Sequence, residues 1–291
     1  MTNLKSIDKI LSPPPPHWVG NAFRVHNFIP GNLDLKRMSP FFLMDYGAKI
    51  EFPPSETPRG VGVHPHRGFE TVTIAYHGKV AHHDSAGNSG VIEEGDVQWM
   101  TAASGVLHKE YHEAEWSKKG GLAQMVQLWV NLPAKDKMSH PKYQSIKHAD
   151  FGKRILPDSQ GAIEVIAGNF NGTKGPATTF TPVEMYNARL KKGAKVHFSF
   201  PENYNTCFLI IEGTADVNGQ TAPEDHLVLF LNDGTDIELE AIDDVVVLIL
   251  SGEPINEPIA SYGPFVMNTR EEILDAYEDL NKGKFGYLED N

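Results

Sequence analysis

Seven of the 13 histidines in this 291-residue chain lie between positions 64 and 112, and that stretch holds two i, i+2 pairs of metal-ligand type. His64-Pro65-His66 leads into the run GFETVT, and His108-Lys109-Glu110 follows the tight turn ASGVL. Side chains alternate between the faces of a β-strand, so residues i and i+2 project together. Two such pairs on facing strands of a small barrel bring three imidazoles and one carboxylate to one point. That donor set suits Fe, Mn, Ni, Cu or Zn. Four ligands around an octahedral ion leave two positions for substrate and dioxygen. A lone histidine is more often a hydrogen-bonded core or surface residue. The pairing, with Gly60, Gly62, Gly68 and Gly105 around it, favours a metal at a barrel mouth. The single cysteine, Cys207, excludes thiolate clusters and intrachain disulfides and points to a reducing, cytoplasmic setting.

The elements that must carry these donors are strands. Short apolar or alternating segments recur along the chain: TVTIAY (71–76), KVAHH (79–83), GVIEE (90–94), AQMVQLWVN (123–131), AIEVIAG (162–168), EMYNARL (184–190), AKVHFSF (194–200), CFLIIEG (207–213), HLVLFL (226–231) and VVVLIL (245–250). Their Val, Ile, Thr and aromatic content and their Gly, Asn, Asp and Pro punctuation predict an all-β sandwich or barrel. Helical period is clear only in TREEILDAYEDLNKG (269–283), where Thr269 and Glu272 form a capping box and Gly283 stops the helix. A weaker helical signal lies near 149–153, and the PPPP run (13–16) reads as a polyproline II strap. The polar stretch 133–161, with Pro133, Pro141 and Pro157, reads as a crossing linker. It divides a domain of residues 1–145 from one of residues 146–291. VTIAYHGKVAHHD and CFLIIEGTADVNG are both strand, glycine turn, strand, an echo that suggests a duplicated β domain.

The second half lacks the ligand pairs. His197 and His226 stand alone there, so the second domain is expected to be metal-free and one ion is expected per chain. In the first half, His82 and His83 read as surface residues of a hairpin, with lining of the barrel mouth as the lesser alternative. His112 keeps the inward parity of Glu110, and Arg67 reads as an anchor. Phe69, Trp99, Met100 and Trp129 are candidates for pocket walls, although core packing is the commoner fate of such side chains.

Charge and hydropathy exclude other classes. The chain carries a net charge of −12, with −17 in residues 201–291 and +5 in the first 200. The acidic C-terminal third would repel phosphate backbones, so no direct nucleic-acid partner is expected. No apolar run approaches the roughly 20 residues of a membrane span, and the first dozen residues lack the apolar core of a signal peptide.

The segments HPHRGFETVT (64–73), DSAGNSGVIEEGDVQWMTAASGVLHKE (84–110) and QLWVNLPAKDKMSHPKYQ (127–144) closely resemble the pirin family of the cupin superfamily. SPFFLMDYGA (39–48) and GEPINEPIASYGPFVMNT (252–269) extend the resemblance over nearly the whole chain. It implies a bicupin of two antiparallel β-barrel (jelly-roll) domains, with one iron in the N-terminal barrel held by His64, His66, His108 and Glu110. A generic cupin would draw its carboxylate from Glu70 instead. On strand parity Glu70 is expected to face inward with His64 and His66, beside a ligand imidazole. The resemblance further implies a quercetin (flavonol) 2,3-dioxygenase, with Glu110 as ligand and as base for the flavonol 3-hydroxyl. Dioxygen would add at the 2,3-bond and carbon monoxide would leave as the ring opens. Its alternative is a non-catalytic, redox-sensing regulator that binds a protein partner such as a transcription factor, in the nucleus if the source is eukaryotic.

Overall fold

Runs that alternate β-branched and aromatic residues with polar ones become strands close to the expected limits. TVTIAY lies within Phe69–His77, VAHH within Val80–Asp84 and AQMVQLWVN within Gly121–Asn131. The computed structural model describes residues 3–290. It has the expected all-β, two-barrel cupin architecture with a short C-terminal helix. That helix, Arg270–Asn281, starts at the expected capping box: Thr269 Oγ1 accepts from the Glu272 amide, and the Glu272 carboxylate accepts from the Thr269 amide. Gly283, at φ +72°, follows its end.

Two local expectations change. Residues 149–153 are not helical beyond one 3-10 turn, His148–Asp150, because Gly152–Ile155 pairs as an edge strand with Gly161–Ala167. The stretch 133–161 is more than a linker, since Lys142–Ile146 pairs with Val97–Thr101. A helix without strong period, Ala114–Lys119, forms because the Glu113 carboxylate caps the amides of Glu115 and Trp116.

The chain forms two units. One joins the segment ending at Pro14, residues 34–40 and residues 149–254. Its seven-stranded sheet takes Ile7–Leu11 as an edge strand, antiparallel to Leu227–Phe230. Ile163, Tyr186, Phe198, Phe208, Phe230 and Ile249 help fill its interior. Lys5, 1% exposed, points its ammonium at the Glu202 carbonyl, 2.9 Å away.

The other unit joins residues 15–33, 41–148 and the chain from Ile255 onward. A cut at 145/146 therefore does not separate these units. The edge of Leu227–Phe230 is completed from the N-terminal segment, and Val266 packs with Phe42 and Phe69. This unit has a four-stranded sheet in the order Gly60–His66, Val106–His112, Val80–Asp84, Ser89–Ile92. It also has a seven-stranded sheet that contains Val97–Thr101, Phe69–His77, Gly121–Asn131 and Phe41–Phe52. Between strands Gly60–His66 and Phe69–His77 the backbone turns at Gly68, at φ +91°. A Cβ there would lie 2.0 Å from the Val266 carbonyl oxygen, so only glycine fits.

Candidate metal centre

Strand register gathers His64, His66 and His108 into one group and sets Glu110 in a second one with His82 and His108. His108 lies opposite His64 on one side and Asp84 on the other, and Glu110 lies opposite His82. The His64 and His108 ring centroids are 4.2 Å apart, and His66 is 4.8 Å from each. One ring nitrogen from each of the three lies within 4.8 Å of the others. Backbone carbonyls orient two of the rings: His64 Nδ1 is 2.8 Å from the Gly62 oxygen and His66 Nδ1 is 3.4 Å from the Pro264 oxygen. A proton held at Nδ1 leaves the Nε2 lone pair of each ring available.

His108 has no such tether. It is fully buried, and among the described residues neither ring nitrogen has a hydrogen-bond partner. A buried polar atom left unpaired costs roughly 1–3 kcal/mol, so the site is built for something that the protein's own groups do not supply. Burial, then the neighbouring imidazoles, holds His66 and His108 well below the usual histidine range. They are therefore neutral at physiological pH, the form that binds a metal.

Glu110, 3% exposed, is held by three donors. Oε1 accepts from Thr73 Oγ1 at 3.2 Å and from Gln98 Nε2 at 3.1 Å, and Oε2 accepts from Gln127 Nε2 at 2.8 Å. Its carboxylate forms a second group of donors with His82 and His108, so His108 is common to both sets. His82 is not a surface residue as expected but is 0% exposed, because Val80–Asp84 is flanked on both sides by strands and its even positions turn inward. His83 takes the outer parity, where its ring stacks on Tyr111. Thr73, Gln98 and Gln127 had no place in the sequence-based site. Their signal was a polar residue inside an otherwise apolar strand, as in MVQLWV and VQWM.

Glu70 faces away from this chamber. Thr73 reaches Glu110 and Phe69 meets His66, so the odd positions of Phe69–His77 face inward and Glu70 does not. The turn at Gly68 resets the alternation on which its inward placement rested. Glu70 accepts from Thr101 Oγ1 at 2.7 Å instead, and burial pushes its pKa up to about 7. Trp99 shares the parity of Thr101 and likewise turns away. Phe69 and Trp129 do form a wall, stacked at 4.3 Å, with the Trp129 ring 5.1 Å from His66. Met100 packs with Val106 and Tyr143.

The Pirin family profile matches residues 22–130 and the Pirin C-terminal cupin domain matches residues 185–286. The chain belongs to the pirin family. It is 48% identical over 269 residues to a Pseudomonas aeruginosa protein with the provisional name quercetin 2,3-dioxygenase, covering 92% of this chain and 94% of that one. Pirin of Rattus norvegicus is 36% identical, with 92% and 89% covered. A solved quercetin 2,3-dioxygenase of Acinetobacter baumannii superposes with a TM-score of 0.93 at 45% identity, covering 98% of this chain and all (100%) of that one.

The remaining histidines of this pirin fall outside the cluster. His112 keeps its inward parity, but its ring packs against Phe23, Phe52 and Trp116, 4.6 Å from the nearest of them. Burial lowers its pKa to about 4. His197 is half-exposed beside Asp236, and His226 turns back on the Glu224 carbonyl. Arg67 is an anchor, buried rather than superficial: it pairs with Asp279 at 2.9 Å and covers the Phe285 ring.

Proposed function

We propose that this pirin holds a single iron ion through His64, His66, His108 and Glu110 in its N-terminal half and acts as a quercetin (flavonol) 2,3-dioxygenase. The observation that carries the reading is His108, buried with both nitrogens unpaired between two tethered imidazoles and a carboxylate. Neutral nitrogen donors and one hard oxygen fit iron, and also Mn, Ni, Cu or Zn. When bound, such an ion supplies Lewis acidity and, for iron, redox contact with dioxygen.

The chain's own residues then do three things. The Phe69–Trp129 stack beside His66 offers an aromatic face to a flavonol ring. Glu110 takes the proton of the flavonol 3-hydroxyl, and Oε2, which accepts from Gln127 Nε2, keeps a lone pair to receive it. Gln98, Thr73 and Gln127 keep the carboxylate aimed.

The test is metal analysis together with turnover. Iron-loaded protein in air should consume quercetin and release carbon monoxide, and metal-free protein should do neither. One tightly held ion per chain with no flavonol consumed would overturn the dioxygenase reading and leave the redox-sensing regulator in its place.

A further inference from the structure

The buried polar residues behind Glu110 form a chain with a direction. Gln98 is 0% exposed, and its Nε2 lies 3.1 Å from Glu110 Oε1 and 3.2 Å from His82 Nδ1. An amide nitrogen has two protons, and these two acceptors use both. His82 Nδ1 must therefore carry a lone pair, which puts the ring proton on Nε2. That atom is 3.3 Å from Asp84 Oδ2. Asp84 is itself fixed, accepting from the Ala86 and Asn88 amides at 3.0 and 2.9 Å and from Asn88 Nδ2 at 3.0 Å. Its side chain is 2% exposed. Tyr143 closes the far side: its ring stacks on His82 and its hydroxyl lies 3.4 Å from Gln98 Oε1.

We propose that Asp84, His82 and Gln98 are a positioning relay that sets the orientation of the Glu110 carboxylate through the tautomer of His82. The proposal rests on Glu110 being a metal ligand. Each link dictates the next. The Asp84 carboxylate can only accept, so it selects Nε2–H on His82. The bare Nδ1 then demands a donor, so Gln98 presents its NH2 edge, and that edge supplies the donor to Glu110. With the other tautomer, Nδ1–H would confront the Gln98 amide nitrogen. The amide would turn over and set its oxygen against the Glu110 carboxylate, two acceptors face to face. A carboxylate turns readily about its terminal torsion, and loss of that donor leaves Oε1 held by Thr73 Oγ1 alone. Partners of this kind behind a ligand are worth roughly 10–100-fold in metal affinity.

The experiment uses the full chain, with Asp84→Asn and Gln98→Met as the breaks and Asn88→Ala as the control. Asn88→Ala loosens the same turn but leaves the His82–Asp84 contact in place. Nitrogen-15 NMR of the metal-free protein should show His82 as the Nε2–H tautomer, and Asp84→Asn should mix the two forms. Cobalt(II) titration should show affinity about 10–100-fold weaker and a shifted visible spectrum for both breaks, with Asn88→Ala like the natural chain. An Nδ1–H tautomer in the natural chain would overturn the relay, as would breaks whose spectra and affinities match the control. Gln98→Met lies outside the turn and answers the question even where Asp84→Asn does not fold. Absence of cobalt binding by the natural chain would defeat the metal reading instead, and the tautomer would still judge the relay.

Discussion

Glu70→Gln isolates one buried acid. Glu70 is 1% exposed, and burial raises its pKa from 4.5 to about 7. Below pH 4.5 both folded and unfolded chains hold the proton and the residue has no net effect. As pH rises toward 7 the unfolded chain ionises while the folded chain resists, so stability falls across that window. The full loss is about 3 kcal/mol at about 1.4 kcal/mol per pH unit, of which about 2.5 kcal/mol falls between pH 5 and pH 8. Glutamine keeps the shape and the acceptor for Thr101 Oγ1 but cannot ionise. Urea unfolding of metal-free protein at several pH values should therefore show the variant gaining on the natural chain by about 2.5 kcal/mol from pH 5 to pH 8. The variant should still bind metal, because Glu70 faces away from the imidazoles. Parallel stability curves would refute the desolvation argument, and loss of metal would restore Glu70 to the ligand set.

Further expectations concern the site and its supports. His66→Ala or His108→Ala should abolish metal binding measured by elemental analysis, whereas His197→Ala should retain one ion per chain. Glu110→Gln should weaken the metal and remove flavonol turnover, since an amide neither balances the cation nor accepts the proton. Lys137→Met should destabilise by roughly 3–5 kcal/mol in denaturation. The buried Lys137 ammonium bonds the Gly68 and Val266 carbonyls and Asn131 Oδ1 at 2.7, 2.8 and 2.6 Å, and methionine would leave all three oxygens unpaired.

Much of the architecture was legible because strand alternation is a local property. His64 with His66, and His108 with Glu110, could be paired from the two-residue period alone. Glu70 was misplaced by the same rule, carried through a turn that breaks it: Gly68 at φ +91° restarts the alternation. His82 was misplaced because burial depends on what covers a strand, and the neighbours of Val80–Asp84 come from residues 89–92 and 106–112. The interleaved units were illegible for a similar reason. Nothing near Ile7–Leu11 states that its partner is Leu227–Phe230, some two hundred residues on.

That interleaving bears on the order in which the protein is made. The unit that carries His64, His66, His108 and Glu110 takes most of the first half of the sequence, yet it includes the chain from Ile255 onward. The carbonyl that orients His66 belongs to Pro264, and one carbonyl that receives Lys137 belongs to Val266. Neither exists until nine-tenths of the 291 residues have been joined. His64 and His66 are thus made long before the carbonyl that orients His66, so the nascent chain holds these histidines in an unfinished site. The site is therefore complete only once Pro264 and Val266 have joined the fold.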